Sequence, residues 1–162
     1  MFQQISKQKL SIPDSAILTS AGRSPRSEFL REVVEKELTP WPILARSINN
    51  PKVINLNGKG LGDAVILALT NVLEKLPSLD TLLLSDNRLT DDSLHGLCNK
   101  VCSMPNITNL DISNNKIDES SKSILEYLKN ETCALHTLVM EHSDVDDFEC
   151  GDMMLSLGVN TR

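Results

Sequence analysis

Four residues recur at one fixed spacing. Leu82, Leu84, Asn87 and Leu89 of TLLLSDNRLT return 28 positions later as Leu110, Ile112, Asn115 and Ile117 of NLDISNNKID. One interval back stand Ile54, Leu56, Lys59 and Leu61; one further interval forward stand Leu138, Met140, Ser143 and Val145. Four copies thus keep every apolar position. A period in the range of roughly 20–50 residues marks stacked supersecondary units, none of which buries its apolar side alone.

The second half of each copy stays in register too. Gly62, Thr90, Asp118 and Asp146 share one column, followed by the acidic column Asp63, Asp91, Glu119 and Asp147. Gly, Thr and Asp are helix N-caps, and a carboxylate in the first turn suits the positive end of a helix dipole. Apolar residues then follow at helical spacing: Val65, Ile66, Leu69, Val72, Leu73; Leu94, Leu97, Cys98, Val101; Ile124, Leu125, Leu128. Pro77 and Pro105 stand where a helix cannot continue. Each copy reads as a short strand, a turn and a helix.

The pattern resembles the leucine-rich repeat, L-x-x-L-x-L-x-x-N-x-L. It is complete in LDTLLLSDNRL (residues 79–89) and ITNLDISNNKI (107–117), recognisable in LHTLVMEHSDV, and weakest in PKVINLNGKGL. The 28-residue period and helical second half are similar to the ribonuclease-inhibitor-like class. The resemblance implies a right-handed α/β solenoid, with parallel strands on its concave side and helices on its convex side. It covers residues 51–162.

The polar position inside the apolar alternation has a physical reason. Where the chain leaves the strand, buried backbone N–H and C=O groups lose their sheet partners and need others. An Asn amide supplies donors and an acceptor together. Asn87 and Asn115 are therefore expected to form a structural ladder. Lys59 cannot accept a hydrogen bond, and Ser143 replaces only part of the amide.

Residues 1–23 are polar and read as a disordered tail. Ser24-Pro25 reads as a helix start. PRSEFLREVVEKEL places Phe29, Leu30, Val33, Val34 and Leu38 on one face, with Pro40 as its stop. Trp41, Ile43, Leu44 and Ile48 follow. Residues 24–50 are expected to cap the first repeat, because a repeat array otherwise exposes an apolar end. The array reads as open at its other end, since a fifth copy would begin at Arg162. That is the pattern of a piece or short form of a longer array.

Charge narrows the ligand classes. The net charge of −6 disfavours nucleic acid, whose phosphates need a basic surface. The acidity lies in residues 51–162, which carry nine Lys/Arg against seventeen Asp/Glu. No apolar run approaches the roughly 18 residues of a membrane helix, and the N-terminus has no signal-peptide core. A cytoplasmic site, with the cytoskeleton or nucleus as variants, is the expectation. The four cysteines are then expected to be reduced.

None of the reactive clusters completes a chemical motif. His95, Cys98 and Cys102 share one helix face, but a fourth zinc ligand is not evident and Cys98 falls in an apolar column. EHSDVDDFECGD holds six carboxylates, yet counting from Asp144 puts Glu149 where an EF-hand needs Gly and Leu155 where it needs Glu. NGKGLGD lacks the order of a phosphate loop. His136 and His142 have no evident nucleophile beside them.

The expectation is thus a non-catalytic interaction module without cofactor, metal or small-molecule substrate, and without nucleic acid or membrane as ligand. Its protein partner would meet the concave face. Beside Val53, that face comprises Asn55 and Asn57 of the first strand, and Thr81, Leu83 and Ser85 of the second. Asn109, Asp111 and Ser113, then Thr137, Val139 and Glu141, complete it. Four strands at about 4.8 Å spacing make a sheet only about 15–20 Å across, small beside the about 800 Å² that each partner buries in a standard interface. The class also includes nuclease inhibitors, a GTPase activator for Ran and innate immune sensors, so regulation of an enzyme is an alternative. A cytoskeletal or ciliary scaffold is another. No residue-level signature of either is present.

Overall fold

The computed structural model describes residues 24–39, 41–117, 124, 126–130 and 133–143. The readings placed on residues 1–23, on Pro40, on Asp118, Glu119 and Leu125, and on the segment 144–162 lie outside them.

Period-two alternation of apolar residues sets the strands: β1 (Val53–Asn55), β2 (Thr81–Leu83), β3 (Asn109–Asp111) and β4 (Thr137–Val139). They form one parallel sheet in chain order. The register is the repeat itself: Ile54 pairs with Leu82, Leu82 with Leu110, and Leu110 with Leu138. Successive side chains alternate across a strand. The central residues Ile54, Leu82 and Leu110 are therefore buried, while their neighbours in β1–β3 face the other way. Leu56, Leu84 and Ile112 form a second buried column, and Leu61, Leu89 and Ile117 a third. Fully burying each such side chain is worth about 1.5–3 kcal/mol. In the fourth copy Leu138 and Met140 are only half-buried against the core.

The crossovers are helical. Helix α3 (Asp63–Thr70) joins β1 to β2, with a 3₁₀ turn at Leu73–Lys75 before Pro77. Helix α4 (Asp91–Cys102) joins β2 to β3. Thr90 caps α4 by accepting from Asp92 N–H at 3.4 Å, and Lys100 lies at the negative end of its dipole. In the third copy the backbone is helical at 126–128. Ile66, Leu69, Leu94, Leu97 and Val101 turn inward from α3 and α4 into one core with the strands.

Two helices precede the sheet. Helix α1 (Pro25–Glu35) starts at Ser24, whose Oγ accepts from Ser27 N–H at 3.2 Å, with Pro25 in the first turn. Its end differs from the sequence expectation. The helix stops at Glu35, before Pro40 could act, because Glu37 takes a left-handed conformation (φ 53°). Leu38 N–H then bonds Val33 C=O and Glu37 N–H bonds Val34 C=O. This is a Schellman closure with Glu where Gly is usual. Phe29 and Val33 are buried, but Val34, expected on the same face, is 41% exposed. Helix α2 (Pro42–Ser47) buries Leu44 and Ala45, followed by buried Ile48, while Ile43 is 51% exposed. Half-buried Trp41 packs against the core. Helix α1 meets α3 and the turn after it: Asn71 Nδ2 donates to Glu32 Oε2 at 3.2 Å, and Lys75 pairs with Glu28. Burial pushes the Glu32 carboxyl up, but hydrogen bonds from Lys36 and Asn71 outweigh it and leave the group below its ordinary range.

Candidate functional site

The turn that leaves each strand is built on side-chain amides. Asn87 is fully buried. Its Nδ2 donates to Leu56 C=O and Leu84 C=O at 2.9 Å each and to Ser85 C=O at 3.1 Å, while its Oδ1 accepts from Leu61 N–H at 3.3 Å. Asn115 repeats the arrangement one copy on. It donates to Leu84 C=O, Ile112 C=O and Ser113 C=O, and accepts from Asn87 N–H and Leu89 N–H at 3.0 Å each. Each amide therefore closes its own turn and the turn before it. The first turn, with Lys59 in the Asn column, is held by Asn87 from the next copy and by Gly62 N–H to Asn87 C=O. Ser143 is buried, and its hydroxyl donates to Glu141 C=O at 3.2 Å. The turn backbone is also repeat-invariant: Gly58, Asp86, Asn114 and His142 all have φ between 52° and 67°.

A second inter-copy link sits at the helix starts. Asp63 accepts from Thr90 N–H at 2.8 Å, Thr90 Oγ1–H at 2.9 Å and Ser93 Oγ–H at 2.5 Å. Hydrogen bonds to a charged acceptor are each worth about 1.5–3 kcal/mol, more than neutral ones. Asp63→Ala is expected to lower stability by about 2 kcal/mol, and Asp63→Asn by less, read from urea unfolding midpoints. Equal losses in both would remove the charge from the explanation.

The sheet face away from the helices carries the remaining candidates. One column is Val53, Thr81, Asn109 and Thr137; the next is Asn55, Leu83, Asp111 and Val139. Val53, Asn55 and Thr137 are exposed, and Thr81, Leu83, Asn109, Asp111 and Val139 are half-buried. Several polar groups here are already engaged. Asn55 Oδ1 accepts from Asn57 N–H at 3.1 Å and Asp111 Oδ1 from Ser113 N–H at 3.0 Å, so both close local turns. Asn109 Nδ2 donates to Thr81 Oγ1 and Thr108 Oγ1. The outer column, Asn57, Ser85, Ser113 and Glu141, divides. Asn57 Oδ1 accepts from Ser85 N–H, and Ser113 Oγ accepts from Glu141 N–H. Ser113 is 5% exposed, so this side chain serves the turn rather than the surface. The Glu141 side chain is exposed. Two acidic groups, Asp111 and Glu141, thus stand on or beside a face with apolar Val53, Leu83 and Val139.

Reactive side chains lie elsewhere. His95 is occupied by Tyr127, whose hydroxyl lies 3.0 Å from Nε2. Cys98 and Cys102, on α4, are buried together with Cys133, which precedes β4. Burial pushes the Cys98 thiol up to about 12, and the neighbouring Cys133 adds to this. Cys133 is driven the other way. The neighbouring Cys102 thiol holds it below its ordinary range against the effect of burial. The sequence pattern places Cys98 in an apolar column but does not connect Cys133 to α4. Only the stacking of the copies does so. Among the described residues no three His, Cys, Asp or Glu side chains converge as a metal centre requires, and no helix is long and apolar enough to cross a membrane. A groove of about 430 Å³ between α3 and α4 is lined by Thr70, Asn71, Asn99, Lys100 and Ser103 among others; Lys100 is paired with Glu74, and the Ser103 hydroxyl donates to Lys100 C=O at 2.7 Å.

Comparison with known proteins gives two likenesses. The chain is 31% identical over 113 residues to the mouse (Mus musculus) NACHT, LRR and PYD domains-containing protein 5. That match takes in 68% of this chain but only 10% of the mouse protein, so the chain spans about a tenth of its relative's length. Among solved structures it resembles the leiomodin-1 actin-binding site 2, with a TM-score of 0.63 over 88% of this chain and 91% of that one, at 19% identity. This second likeness is one of fold. No protein-family model matches the chain. Together with the parallel sheet and its 28-residue register, these likenesses identify a leucine-rich-repeat-related region.

Proposed function

We propose that the chain is a non-catalytic protein-binding module of the ribonuclease-inhibitor-like leucine-rich-repeat class. Its copies curve as a right-handed solenoid, the sheet on the concave side and the helices on the convex side. Residues 24–50 cap its first copy. The partner meets the sheet face through Asn55, Leu83, Asp111 and Val139, the flanking Thr81, Asn109 and Thr137, and the rim residues Asn57, Ser85 and Glu141.

The observation that carries this reading is the sheet face that the described residues leave uncovered. Its columns are in register and mix apolar with acidic groups, and among the described residues no helix is laid over them, while the opposite face is filled by the core. Residues between half-buried and exposed on a rigid sheet are pre-organised, so little side-chain entropy is lost on binding. The acidic sign of Asp111 and Glu141 favours a partner surface with basic or polar groups.

The test is an affinity capture from cell extract with wild type and the triple variant Leu83→Asp, Val139→Asp and Glu141→Lys, both checked for folding by circular dichroism. A partner recovered by wild type and reduced at least tenfold by the variant is the expected result. An unchanged partner set would move the binding surface off this face. A cytoskeletal reading has one specific motive, the fold shared with the actin-binding site of leiomodin-1. Co-sedimentation with filamentous actin tests it directly, and a chain left wholly in the supernatant would end it.

A further inference from the structure

The sheet has an edge as well as a face. β1 is the first of the four strands and pairs on one side only, with β2. Along a strand, successive residues aim their backbone groups at opposite neighbours. Lys52 C=O accepts from Thr81 N–H at 3.2 Å, Leu56 N–H donates to Leu83 C=O at 2.9 Å, and Gly58 N–H donates to Ser85 C=O at 2.8 Å. The even-numbered positions thus turn to β2, and Val53 and Asn55 turn the other way. Among the described residues, nothing bonds the backbone N–H and C=O groups of these two. The open stretch has defined ends. Pro51 has no N–H to offer, and Asn57 N–H is taken by Asn55 Oδ1 at 3.1 Å.

The cap does not close this edge. Helix α1 meets α3 and the turn after it, which belong to the helical layer, and among the described residues no strand precedes β1. The exposed large apolar side chains of the described residues also lie on the cap and β1: Val34, Ile43 and Val53, the last 50% exposed. The strip from Val53 to Gly58 holds no ionisable residue. Two copies of a chain with net charge −6 therefore meet here with little local repulsion.

We infer that β1 is a dimerisation edge, on which a second copy of this chain pairs its own β1 antiparallel about a two-fold axis at Ile54. The edge is self-complementary under that axis, as an isologous contact requires. Val53 N–H donates to Asn55 C=O of the second copy, Asn55 N–H donates to Val53 C=O of the second copy, and the two-fold repeats both bonds. Every open group of the edge is then satisfied, and the two sheets become one. A second copy suits the edge better than a loose peptide, because its strand is already ordered and loses less freedom on pairing. The contact is short, so the dimer is of the weak, small-interface kind. It leaves Leu83, Asp111 and Val139 uncovered and does not depend on the binding-face reading.

The experiment is sedimentation equilibrium of the full chain from about 10 μM to about 1 mM, with amide hydrogen exchange followed by nuclear magnetic resonance at both limits. The expected result is a monomer–dimer equilibrium in which exchange at the Val53 and Asn55 amides slows at least about threefold at the upper limit. Val53→Pro removes a donor that faces away from β2, a place where an edge strand tolerates proline. It is expected to weaken dimerisation at least about tenfold while circular dichroism stays native. Val53→Lys keeps the backbone and sets two cations beside the two-fold axis, with the same expected loss, and serves if the proline variant does not fold. The triple variant of the sheet face, Leu83→Asp, Val139→Asp and Glu141→Lys, is expected to dimerise like wild type. A wild-type chain that stays monomeric up to about 1 mM overturns the proposal. So does a dimer in which the Val53 and Asn55 amides gain no protection, or one that a folded Val53 variant leaves unchanged.

Discussion

Asn87→Ala is expected to lower the stability of the chain by about 3–5 kcal/mol, the sum of several buried groups left without partners at about 1–3 kcal/mol each. The amide serves Leu56 C=O, Leu84 C=O and Leu61 N–H at a site without water access. Alanine removes all of these bonds and offers none. A total stability of about 5–15 kcal/mol is usual for a domain, so the variant should be close to unfolding at 37 °C. Urea titration followed by circular dichroism gives the difference. Asn87→Asp refines the cause. Its carboxylate can still accept from Leu61 N–H but faces Leu56 and Leu84 carbonyls instead of donating to them, so it should be at least as damaging as alanine. A loss below about 1 kcal/mol for alanine would mean that the turn finds other partners.

The second large effect is expected at Phe29. This side chain is 1% exposed and belongs to the same core as the strands. Phe29→Ala should cost about 3–5 kcal/mol through lost burial and the cavity left behind. What the experiment decides is whether residues 24–50 and the repeats unfold together. If helix α1 is a cap in the energetic sense, the variant should shift one cooperative transition for the whole chain, seen alike by far-ultraviolet circular dichroism and by fluorescence of Trp41. An early fluorescence transition, followed by an unshifted loss of secondary structure, would make 24–50 an independent attachment. The ion pair of Glu28 with Lys75 and the bond from Asn71 to Glu32 are too exposed to carry the coupling by themselves.

Periodicity made the sheet legible before any coordinates. Leu82 and Leu110 share a column because they share a register, and a one-residue slip would turn every buried side chain to solvent. Parallel order followed from the helical crossovers. The helix starts at Ser24 and Thr90 were readable from capping chemistry. The end of α1 was not, because Glu37 in a left-handed conformation has no marker of the kind that glycine provides. The face was harder still. Ser113 sits in an outward column by strand alternation, yet the chain has left β3 by that point and its hydroxyl turns to Glu141 N–H. A clue was present: Asn57, Ser85 and Ser113 are all short side chains able to accept from the backbone of the following copy. The link between Cys133 and α4 had no such clue, since the distance between copies in sequence conceals which helix position meets which loop.

The amide ladder also has a direction in time. Asn115 supplies partners to Asn87 and Leu89, and Asn87 supplies them to Leu56 and Leu61, always from the later copy to the earlier. During synthesis, then, a copy emerging from the ribosome holds an unfinished turn until the next 28 residues have followed. At about 5–20 residues per second that wait is roughly 1–6 s. Until then Leu56 C=O and Leu61 N–H of the first turn, and Asn87 N–H and Leu89 N–H of the second, lack the asparagine that serves them, so the growing end of the array is the place where a chaperone would find this chain.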